Sequence, residues 1–135
     1  MFCPSSYSQD HIDSRRAVID ARLAAWRHLV ASTGGHAALE EFEPVFFNDL
    51  VLVLDSCLLH RDQCTETTDS SVVTEVRVLA ASLVNGGRVL ADRQLRLHPG
   101  HSVLGHRVGE EIALREADFT ALAKAFFTEL EARYL

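Results

Sequence analysis

The chain has 135 residues, 47% of them apolar and 24% charged, an ordinary globular composition that excludes intrinsic disorder and allows one domain around one core. Its net charge of −6, with thirteen basic residues scattered along the chain, opposes nucleic-acid binding. Three cysteines, Cys3, Cys57 and Cys64, are an odd number and no signal-peptide pattern accompanies them, which argues against a disulfide framework and for a reducing, cytoplasmic compartment.

Residues 1–8 lack periodicity and are expected to form a disordered tail. From Gln9 to Ser32, Ile12, Ile19, Leu23, Trp26 and Val30 recur at helical spacing. Ser8 or Asp10 can cap the start, and Thr33-Gly34-Gly35 ends the helix. Arg15, Arg16, Arg22 and Arg27 share this segment with Asp10, Asp13 and Asp20, the pattern of a solvated helix face.

A short helical turn is expected at His36 to Phe42. Pro44 disfavours the helical conformation at Glu43, so the central helix is expected to begin at Pro44, with Glu40, Glu41 and Glu43 crowded at its positive end. Residues 44 to 60 are so apolar that they should form the buried centre of the molecule, carrying Asn48, Asp49, Asp55 and His60 inward. A strand over Leu50 to Leu54 is the rival reading, and the length of the segment favours helix. The stretch falls short of the ~20 residues needed to cross a bilayer.

Asp62 to Ser71 reads as a polar loop. Val72 to Val84 resumes helical spacing and stops at Asn85-Gly86-Gly87. Between Arg88 and Leu114 the period changes to alternation, which predicts two short strands at about 93–98 and 110–114. Glu116 to Tyr134 closes the chain as an amphipathic helix with Phe119, Leu122, Ala123, Phe126, Leu130 and Tyr134 on one stripe. The architecture expected is mostly α: one domain over residues 9–135, a four-helix bundle with a two-stranded β appendage between the third and fourth helices, and α+β as the alternative.

The candidate polar pocket is Asn48, Asp55, His60 and Glu75, with Glu75 and Arg77 on the third helix as natural partners for the central one. Asp49, Ser56 and His60 share a helical stripe, but Asp49 and His60 would lie about 16 Å apart, too far for a hydrolytic triad. Cys57, His60 and Cys64 are soft ligands at Cys-x2-His-x3-Cys spacing, and His98, His101 and His106 cluster in a Pro/Gly-containing connection. A zinc or iron site using His60 with His98 and His101 is therefore a candidate, although neither half carries an accepted signature. No cofactor is predicted, because the aromatic residues sit at core spacings.

Self-association is the leading functional expectation: a non-catalytic helical module, acting as a homodimer through apolar stripes such as Phe126, Phe127, Leu130 and Tyr134. A small enzyme or sensor built around His60, with Asp55 or Glu75 as the orienting carboxylate, is the alternative. A small hydrophobic ligand between helices is also compatible with such a bundle.

Overall fold

A computed structural model of the chain describes residues 8–57, 72–89, 103–105 and 109–134. Four helices form in chain order: α1 (Gln9–Thr33), α2 (Ala37–Asp55), α3 (Val72–Val84) and α4 (Glu116–Tyr134). Ser8 caps α1, its hydroxyl accepting the His11 amide at 3.0 Å. Gly34, at φ 71°, ends α1 by donating its amide to the Val30 carbonyl, a left-handed conformation that only glycine adopts without strain.

α1 packs on α2 and α4, α3 packs on the same two helices, and α2 also touches α4. Among the described residues α1 and α3 do not meet, so the bundle has a rhombic cross-section with α2 and α4 on its short diagonal. Trp26 of α1 stacks on Phe46 at 5.4 Å and meets Phe47 edge-on at 5.3 Å, while Phe47 reaches Phe119 of α4 at 5.7 Å. Each fully buried aromatic of this kind contributes about 1.5–3 kcal/mol. Arg16 and Arg27 tie the far flank of α1 to α4 through Glu131 at 3.0 Å and Glu116 at 2.6 Å. Among the described residues no helix is long and apolar enough to cross a membrane.

The central helix begins seven residues before the expected start and runs through Pro44. A proline inside a helix deprives the carbonyl four residues back of its donor. Here that carbonyl belongs to Glu40, and it accepts instead from the Arg115 guanidinium at 2.8 Å. The same nitrogen lies 3.1 Å from Glu43 Oε1, and the second Glu43 oxygen accepts the Glu116 amide at 2.8 Å, the first residue of α4. Glu43 thus caps a different helix from the one whose end it was expected to crowd. Asp118 completes the α4 start by accepting the Arg115 amide at 3.1 Å, half of a capping box.

The expected β appendage takes a smaller form. Residues 93–98 lie outside the described residues, and 110–114 form no strand. One antiparallel bridge joins Arg88 to Glu111, with main-chain bonds from Val89 to Glu110, Gly109 to Val89 and Ile112 to Gly87 at 2.8–2.9 Å.

Replacing Arg115 by Ala should destabilise the fold by roughly 1–2 kcal/mol. In a Pro44→Ala background, where residue 44 regains its amide, the loss measured by denaturant unfolding should be smaller. Equal losses in both backgrounds would show that the guanidinium does not stand in for the missing donor.

Candidate functional site

Asn48 sits half-buried in the middle of α2, facing the chain that leads into α4. Its amide nitrogen donates to the Ile112 carbonyl at 2.9 Å, and its oxygen accepts the Leu114 amide at 3.1 Å. A side-chain amide that donates and accepts in this way reproduces the edge of a neighbouring strand, so residues 112–114 gain a ladder partner without a strand beside them. Ile112 and Leu114 then project into the core, where both are buried.

Glu75, on α3, is the most enclosed acidic residue among the described residues, at 1% exposure. One carboxylate oxygen accepts the Val103 amide at 2.8 Å and the other the Leu104 amide at 3.1 Å. With each oxygen meeting a main-chain amide, the carboxyl group is tolerated at such depth. Another acidic side chain works similarly: Glu129 of α4 accepts the Val73 amide, in the first turn of α3, at 3.3 Å.

Asp55 is buried as the last residue of α2. The helix stops there, with Ser56 as its C-cap, so Cys57 lies beyond the helix end. His11 of α1 closes this terminus, its Nε2 3.1 Å from the Cys57 carbonyl, which only a protonated ring nitrogen can satisfy. The Cys57 thiol is pushed up from its ordinary 9.0 to about 11 by burial, with Arg15 opposing and Asp55 reinforcing the shift. It stays protonated at neutral pH and is no activated nucleophile.

Of the residues grouped from sequence, Asn48 and Glu75 each hold backbone, at 112–114 and at 103–104, and share no partner among the described residues. Asp49, expected to be enclosed, is exposed: the three helices that pack on α2 and the returning chain leave its outer side open. Both Glu75 oxygens accept main-chain amides, of residues 103 and 104. His60, His98 and His101, the candidate metal ligands, lie outside the described residues, as do Arg61 and Cys64. Among the described residues no three His, Cys, Asp or Glu side chains are grouped to hold a metal ion. A half-open cavity of about 210 Å³ lies between α1 and α4, edged by Ile19, Leu23, Phe127, Arg16 and Lys124, and none of the polar set lines it.

Sequence reasoning missed Glu43, Arg115 and Glu129 as backbone holders. Pro44 was the available signal for the first two, since an interior proline leaves a carbonyl that something must satisfy. Comparison with protein-family models, with curated proteins and with solved structures finds no match.

Glu75→Gln keeps the shape but turns one acceptor into a donor facing an amide, and should cost about 1–3 kcal/mol. Asn48→Asp should be worse than Asn48→Ala at pH 7, because the carboxylate would face the Ile112 carbonyl without a proton to give. Chemical denaturation of the three variants checks both statements, and an Asn48→Asp protein as stable as Asn48→Ala would contradict the ladder role.

Proposed function

We propose that this protein is a non-catalytic helical association module that acts as a homo-oligomer. Asn48 and Glu75 hold main chain with their polar atoms, so neither supports a reactive pocket, and the outer surface of the molecule is the better place to look for function. The terminal-helix stripe first expected to mediate association is absorbed by the protein's own core, since Phe126, Phe127 and Leu130 are all buried. The observation that carries the reading lies elsewhere: Val18 and Leu29 on α1 and Phe42, Val45 and Leu52 on α2 stay exposed, Phe42 at 45% and Val45 at 53%. Single exposed apolar residues need no explanation, but five on two adjoining helices form a face of the kind that partners cover. A cytoplasmic setting fits the odd cysteine count and the protonated, buried thiol of Cys57.

At tens of micromolar the wild-type chain should sediment as a dimer. Val45→Glu should shift it to monomer with little change in thermal stability, whereas Val84→Glu, at a position 70% exposed on α3, should leave the dimer intact. A wild-type monomer, or equal effects of the two substitutions, would overturn the reading.

A further inference from the structure

The exposed apolar residues on α1 and α2 are not scattered. On α1, Val18, Arg22, Ala25 and Leu29 are spaced four, three and four. On α2, Phe42, Val45, Asp49 and Leu52 are spaced three, four and three. Both are seams at the 3.5-residue average that packs one helix against another. All eight side chains are exposed.

The two seams border the same helix junction. His11, seven residues before Val18 on the α1 stripe, reaches the Cys57 carbonyl just past the end of α2, and the Phe42 ring on the α2 stripe lies 6.4 Å from Trp26 of α1. Arg16 and Arg27, which bind α4, are on the other flank of α1. The seams therefore run side by side along the outer face of the α1–α2 hairpin, over roughly 16 Å of helix.

They are also in register. α1 and α2 are antiparallel about the turn between Thr33 and Ala37, so residues equally far from it stand at one height. Leu29 is level with Phe42, Ala25 with Val45, Arg22 with Asp49 and Val18 with Leu52, each pair matching within one residue. Each seam thus carries a single charge, of opposite sign, at a common height between apolar neighbours. Among the described residues neither Arg22 nor Asp49 has an ion-pair partner in its own chain.

We propose that this face takes a second copy of the same chain about a two-fold axis parallel to the helices. The inference rests on the association reading above and specifies its geometry. Such an axis lays α1 of each copy antiparallel over α2 of the other and keeps every residue at its own height. Arg22 then meets the partner's Asp49 twice, Leu29 meets the partner's Phe42 and Val18 the partner's Leu52, an isologous contact with self-complementary charge. A two-fold axis across the helices instead lays α1 on α1 and α2 on α2, bringing Arg22 towards Arg22 and Asp49 towards Asp49. The charge pattern selects the first arrangement over the second.

The test is charge reversal read by sedimentation equilibrium, with far-ultraviolet circular dichroism confirming unchanged helix content. Arg22→Asp and Asp49→Arg should each weaken the dimer by roughly tenfold or more, since two attractions become two repulsions. An equimolar mixture of the two variants should restore dimer, because the first then offers only carboxylates and the second only guanidinium groups at the paired positions. If the wild-type chain dimerises but the variants match it, or their mixture stays as weak as either alone, the pairing is wrong while association stands. If the wild-type chain remains monomeric at tens of micromolar, both fall.

Discussion

Main-chain groups taken out of water must find partners, and in this protein polar side chains of the helices supply several of those partners for the described residues between α3 and α4. Asn48 serves Ile112 and Leu114, Glu75 serves Val103 and Leu104, and Glu43 with Arg115 joins the start of α4 to the Pro44 break in α2. Leaving one such group stranded costs about 1–3 kcal/mol, a sizeable share of the 5–15 kcal/mol that holds a domain of this size together. Asn48, Glu75 and Glu43 are therefore explained by what they hold.

This changes how the acidic and amide residues of α2 and α3 are understood. An enclosed carboxylate beside a histidine suggests proton transfer, but both oxygens of Glu75 are turned to backbone amides, and the cavity between α1 and α4 includes none of the polar set. Burial also holds the Cys57 thiol protonated, so it is no activated nucleophile. Association through the α1–α2 face is the functional reading we propose, and its support is the set of apolar side chains left exposed there.

Much of the architecture was legible in the sequence because it is encoded locally. Ser8 and Gly34 bracket α1, glycines follow Val84, and apolar spacing locates α3 and α4 at their observed bounds. The start of α2 was not legible, because the group that makes Pro44 tolerable is Arg115, 75 residues from Glu40. Nor was its orientation: α2 is apolar on nearly every side, so pattern alone cannot say that Phe47, Leu50 and Leu54 face the core while Phe42, Val45 and Leu52 face out. The matched heights of Arg22 and Asp49 become visible only once the short Gly34-Gly35-His36 turn fixes the register of the hairpin.

Native-state hydrogen exchange tests most directly whether side chains hold the returning main chain. The amides of Val103, Leu104 and Leu114 belong to no helix or strand, yet the account predicts that they exchange nearly as slowly as core amides of α2 and α3. Exchange of these three at the rate of unprotected peptide would contradict it.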